Sequence, residues 1–214
     1  MAEVLNRVIE KAWRGSAPAQ INVPRDFWTQ VIDIDLPPIV RFERPAGGAK
    51  AIAEAAELLS KAKFPVILSG AGVVIGGAIP DCVALADRLD SPVCSGYQHN
   101  DSFPGSHPMA AGPLGYNGSK AGMQLIAQAD VVLALGTRLN PFSTLPGYGI
   151  DYWPKEAKII QVDINPDRIG LTKPVTVGIC GDAKQVANRI LTQLSSTAGD
   201  TNREERKAII HQTK

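Results

Sequence analysis

VILSGAGVVIGGAIPD, residues 66–81, opens on an apolar run and then turns glycine-rich. Val66-Ile67-Leu68 follows Pro65 without polar alternation, the pattern of a strand buried on both faces. Ser69-Gly70-Ala71-Gly72 then predicts a tight turn, and Pro80 suits the first turn of a helix from about Pro80 to Leu89. Such a turn bends the chain out of a parallel sheet. It can also carry a nucleotide phosphate, because glycine admits close backbone approach and helix N-terminal N–H groups attract negative charge.

Outward from this stretch the same unit recurs. Ahead of it, AGGAKAIAEAAELLSKAK (46–63) places Ile52, Ala55, Ala56 and Leu59 on one helical stripe. Behind it, SPVCSG (91–96) is a short strand. LIAQADVVLALGTRL (125–139) gives a helix end, an apolar strand over 131–135 and a second glycine turn. AKIIQVDINPDRIG (157–170) gives a strand ending at Asp163 and a turn at Asn165-Pro166. VTVGICGDAKQVANRILTQL (175–194) gives a last strand and a helix starting near Asp182. Doubly apolar strands alternating with helices predict an α/β fold, a Rossmann-like parallel sheet with helices on both faces.

The flanks read differently. Residues 3–13 carry helical periodicity, and GSAPAQINVPRD (15–26) reads as a turn, a short strand over 19–23 and a stop at Pro24. This pair is too small to bury its own faces, so 1–28 reads as the tail of a larger unit. The proline-rich residues 29–45 read as a linker, 46–194 as the central domain, and the polar residues 195–214 as a second linker. Apolar residues make up 44% and charged residues 20% of the 214, as a packed core requires. The net charge of +1 argues against a nucleic-acid surface. No apolar run approaches the roughly 20 residues of a membrane span, and the N-terminus lacks a signal-peptide core. Cys82, Cys94 and Cys180 are sparse and lack metal spacing, which suits a reducing cytoplasm.

In open parallel sheets, ligands bind beyond the carboxyl ends of the strands, where the strand order reverses. The candidate nucleotide-binding residues lie there: Gly70 and Gly72; Gly136, Thr137 and Arg138; Asp163 and Ile164; and Asp182 after Gly181. Asp163 can accept ribose hydroxyls, and Arg138 can clamp a pyrophosphate. The structural alternative stays open beside this one. SGAGVVIGG misses the G-x-G-x-x-G spacing, because its third glycine position holds Ile75, one before Gly76. His99 and His107 lie in a loop of about 23 residues (97–119), a length expected of functional or interface loops. Neither has a metal-spaced partner. Ser69 lies outside a nucleophile elbow, and Cys94 lacks a nearby base.

Together, PAQINVPRD, AAELLSKAKFPVILSGAGV, FPGSHPMAAGPLGYNGS, ADVVLALGTRLNPF, AKIIQVDINPDRIG and VGICGDAK resemble the middle domain of thiamine-diphosphate-dependent enzymes of the acetolactate synthase type. HPMAAGPLGYNGSKAGM and LNPFSTLPGYGIDYWP look most like the branch that converts sulfoacetaldehyde and phosphate to acetyl phosphate and sulfite. The resemblance implies thiamine diphosphate and Mg²⁺ in the parent enzyme, a homo-dimer or tetramer, and ADP, FAD or nothing in the middle-domain pocket. The family's catalytic glutamate belongs to its first domain and its metal motif to its third. Gly181-Asp182 matches neither, since Ala183 follows it. The chain is therefore expected to hold no catalytic residue and no metal ligand, and to be a fragment centred on the middle domain. Other carboligases or decarboxylases, of the acetolactate synthase or oxalyl-CoA decarboxylase type, are the enzymatic alternative. A non-catalytic nucleotide-binding or assembly module is the other.

Overall fold

The computed structural model describes residues 2–15, 17–35, 38 and 43–214. They divide into two compact units, one ending at Arg44 and one starting at Pro45. The first unit carries helix α1 (Ala2–Gly15) and a 3-10 turn (Arg25–Thr29). No residue of α1 is buried, because a short helix beside a 3-10 turn offers no second layer to pack on. Residues 19–23, expected as a strand, do not form one. The expected linker 29–45 falls partly outside the described residues.

The second unit is built on six parallel strands in the order β3-β2-β1-β4-β5-β6. They are β1 (Pro65–Ser69), β2 (Val93–Ser95), β3 (Ala110–Pro113), β4 (Val131–Leu135), β5 (Lys158–Asp163) and β6 (Val177–Cys180). The helices are α2 (Ala49–Lys61), α3 (Ala71–Ile75), α4 (Ile79–Leu89), α5 (Lys120–Ile126), α6 (Ala183–Gln193) and α7 (Arg203–Thr213). The period-2 geometry of β1 sends Ile67 to one side of the sheet and Val66 and Leu68 to the other. Ile67 packs with Ile52 and Leu59 of α2, Leu85 of α4 and Ile190 of α6. Val66 and Leu68 pack with Met123 and Ile126 of α5 and Ile210 of α7. Helices thus cover both faces, and every residue of β1 and β4 is buried.

Three details depart from the sequence reading. The loop over 97–119 holds an edge strand, β3, whose AAGP sequence conceals it; proline is tolerated there because an edge strand leaves some N–H groups unpaired. The register of β3 against β2 slips between Val93 and Cys94, where Gly112 sits at φ +87. A short helix, α3, follows the first glycine turn. Residues 195–214, expected as a linker, instead fold onto the domain through α7, with Ile210 4% exposed and Arg206 fully buried. The polar composition hid this because the buried side chain is an arginine bonded to backbone carbonyls rather than an apolar stripe.

Candidate functional site at the strand ends

The strand order reverses between β1 and β4, whose last residues, Ser69 and Leu135, are direct register partners. The turns that follow are laced to one another by backbone hydrogen bonds. The Gly70 N–H donates to the Leu135 carbonyl at 3.1 Å, and the Gly72 N–H to the Gly136 carbonyl at 2.8 Å. The Gly136 N–H donates to Val162 at 3.0 Å, and the Gly181 N–H to Asp163 at 3.0 Å. The four expected turns therefore form one continuous rim along the carboxyl edge.

The glycines answer to this lacing. A Cβ on Gly70 would lie 2.6 Å from both the Gly136 oxygen and the Thr137 Cβ, and one on Gly72 would lie 2.7 Å from the Gly136 Cα. Gly136 itself sits at φ +62 against Gly72. Two backbones meet here at a distance no side chain permits. The N–H groups of Gly70 and Gly72 are committed to carbonyls, so neither is offered to a phosphate.

The remaining expected residues serve the rim separately. Thr137 is buried, and its Oγ1 accepts from the Leu139 N–H at 3.3 Å. Leu139 is fully buried at φ +53, a left-handed conformation costly to a branched side chain, and Arg138 beside it is exposed. Asp163 is buried, and its Oδ1 accepts from the Asn165 N–H at 2.9 Å, which closes the turn after β5. The Ile164 carbonyl accepts from the Cys180 thiol at 3.6 Å. Asp182 is the N-cap of α6; its Oδ1 accepts from the N–H groups of Lys184 at 3.1 Å and Gln185 at 3.3 Å. A Cβ on Gly76 would lie 3.2 Å from Asp182 Oδ2, so the end of α3 rests against this cap.

Sequence reasoning missed Gln161, the amide that interrupts the apolar run of β5. It is 1% exposed. Its Nε2 donates to the carbonyls of Thr137 and Arg168, each at 3.2 Å, and its Oε1 accepts from the Gly170 N–H at 2.8 Å. It thereby fixes the β4 turn against the loop after β5. A lone amide inside KIIQVD was the available signal. His107 is structural: Nε2 lies 3.2 Å from Asp87 Oδ1, and Nδ1 accepts from the Met109 N–H at 3.1 Å. Burial pushes the Cys82 and Cys94 thiols up to about 12, which leaves both protonated and inert at neutral pH. The more exposed Cys180 is raised by burial and by the Asp163 carboxylate. Among the described residues, no three His, Cys, Asp or Glu side chains converge to hold a metal ion. No described helix is long and apolar enough to cross a membrane.

Residues 52–190 match the family described as thiamine pyrophosphate enzyme, central domain. The chain belongs to this family. The thiamine pyrophosphate enzyme central domain accounts for the doubly covered six-stranded sheet. The chain is 80% identical over 99% of its length to a Rhizobium meliloti protein named "Probable sulfoacetaldehyde acetyltransferase". It is 77% identical over its whole length to the sulfoacetaldehyde acetyltransferase of Roseovarius nubinhibens. It spans only 36% of the length of each. Benzoylformate decarboxylase from Polynucleobacter necessarius superposes with a TM-score of 0.67 over 80% of this chain and 32% of its own, at 23% identity, a likeness of fold.

Proposed function

We propose that this chain is the central domain of a thiamine-diphosphate-dependent acetyltransferase that converts sulfoacetaldehyde and phosphate to acetyl phosphate and sulfite. The observation that carries the reading is the 80% identity along 99% of the chain to a relative bearing that activity in its name. Thiamine diphosphate would supply the carbanion stabilisation that expels sulfite from the carbon–sulfur bond and leaves an acetyl group for phosphate to take, with Mg²⁺ holding its diphosphate. Among the described residues no three His, Cys, Asp or Glu side chains come together as ligands for the Mg²⁺. No catalytic step is assigned to them. In this reading the tail up to residue 28 belongs to a preceding pyrimidine-binding domain, and the parent is a cytoplasmic homo-dimer or tetramer.

The strand-end rim is architectural in this proposal. Support comes from the committed N–H groups of Gly70 and Gly72, from Asp163 closing the turn after β5 and from Asp182 capping α6. ADP or FAD at millimolar concentration should then leave the melting temperature of the chain unchanged. Protection of wild type that is lost in Asp163→Ala would restore a nucleotide site.

The catalytic proposal is tested on the longer protein that contains this chain, with thiamine diphosphate and Mg²⁺. Sulfite and acetyl phosphate should form in equal amounts from sulfoacetaldehyde and phosphate. Acetolactate from pyruvate, or decarboxylation of oxalyl-CoA, with no sulfite from sulfoacetaldehyde would overturn it. The isolated chain should show no turnover with any of these substrates.

A further inference from the structure

After α6 the chain crosses the end of α4 before α7 begins, and two arginines reach across this crossing in opposite directions. Arg88 of α4 donates to the carbonyl of Ser195 and, at 2.8 Å, to that of Ala198. Arg206 of α7 reaches back. Its Nε donates to Asp90 at 2.9 Å; one terminal nitrogen donates to Lys63 and Thr201, each at 2.7 Å; the other donates to Leu89 at 3.0 Å and to Gly199. A guanidinium has five N–H donors, and all five find carbonyls. Three belong to the domain and two to the crossing segment. The fit is close elsewhere as well. Gly199, at φ +85, lies so near α4 that a Cβ would be 2.8 Å from the Arg88 oxygen, and Ala198 is 1% exposed. The Asp90 carboxylate, itself buried, pairs with Arg203 and lies 3.7 Å from Lys207, both on α7.

We propose that residues 195–206 form a latch over the carboxyl-terminal end of α4, that the exchanged arginines lock it, and that the latch and α7 open and close as one unit. The carbonyls Arg206 takes at Leu89 and Asp90 end α4, where a helix leaves acceptors without intrahelical partners. A closed latch therefore completes α4 and seats Ile210 of α7 in the core. An open one releases both at once. Lysine cannot replace Arg206, because its three donors radiate from one atom and cannot reach five carbonyls on separate segments.

Hydrogen exchange, read by mass spectrometry on the full 214-residue chain, tests this in wild type, Arg206→Met, Arg206→Lys and Arg88→Met. In Arg206→Met, exchange over 198–213 and over 90–93 should rise together at least tenfold, while β4 and β5 keep wild-type protection. Arg206→Lys should not restore it. Arg88→Met should loosen α7 as well, although the latch hydrogen bonds of Arg88 go only to residues ahead of that helix. Unchanged α7 exchange in Arg88→Met would show that the parts move independently and would overturn the proposal. A uniform loss of protection across all strands would overturn it too, leaving Arg206 an ordinary core residue. Should Arg206→Met fail to fold, the Arg88→Met pattern decides alone.

Discussion

At Gly72 one added methyl group separates two roles for the same turn. Its Cβ would press on Gly136 Cα at 2.7 Å, backbone against backbone, with no flexible side chain to yield. Gly72→Ala should therefore lower stability by about 1–3 kcal/mol, the usual range for overpacking. Gly105→Ala is the matched control, since nothing lies within 4 Å and its φ is unexceptional. It should be neutral or slightly stabilising, through a less flexible unfolded chain. Urea midpoints of the two variants check this, and equal midpoints would remove the steric account. The thiols give a second prediction at this scale. Cys180 should react with an aromatic disulfide reagent in the folded chain, whereas Cys82 and Cys94 should react only on unfolding, because burial keeps them protonated and out of reach. Gly70, Gly72 and Asp182 were visible in the sequence as punctuation. The close approach of the two glycines to Gly136 was not, since Gly136 lies a long way along the chain from Gly72.

Single carboxylates hold the ends of two elements. Asp182 caps α6 through two backbone N–H groups, and Asp182→Ala should cost about 0.5–2 kcal/mol. Asp130 works at the start of β1, where its two oxygens accept from the N–H groups of Lys63 at 2.7 Å and Phe64 at 2.9 Å. Asp130→Ala should cost about 1.5–3 kcal/mol, as for hydrogen bonds to a charged group. In both cases the denaturation midpoint should fall with little change in slope, because the folded core is not altered. Long periodic elements such as α2 and α4 were legible because their own residues carry the pattern. β3 and α3 were not. A four-residue edge strand containing glycine and proline has no periodicity to read, and it exists only because β2 lies beside it.

For the whole chain, alkaline pH is the informative stress. Burial raises Cys82 and Cys94 from 9.0, and Tyr152 from 10.0, each to about 12. The folded chain keeps these protons at a pH where the unfolded chain releases them. Their contribution is complete below pH 9 and is lost as pH rises from 9 toward 12. Urea titrations at pH 8, 9.5 and 11 should show a falling midpoint, and a constant one would remove the burial argument. The sequence by itself determined the parallel α/β sheet, because apolar runs of strand length and the glycines after them are local properties of the chain. It also determined the family, because the motifs are contiguous. Tertiary structure alone decided that the glycine turns lock against one another, that Gln161 ties the rim, and that the polar tail is part of the domain. Each of these needs groups from distant segments to meet: Lys63, Leu89 and Gly199 become neighbours only around the guanidinium of Arg206, and no local pattern records that meeting.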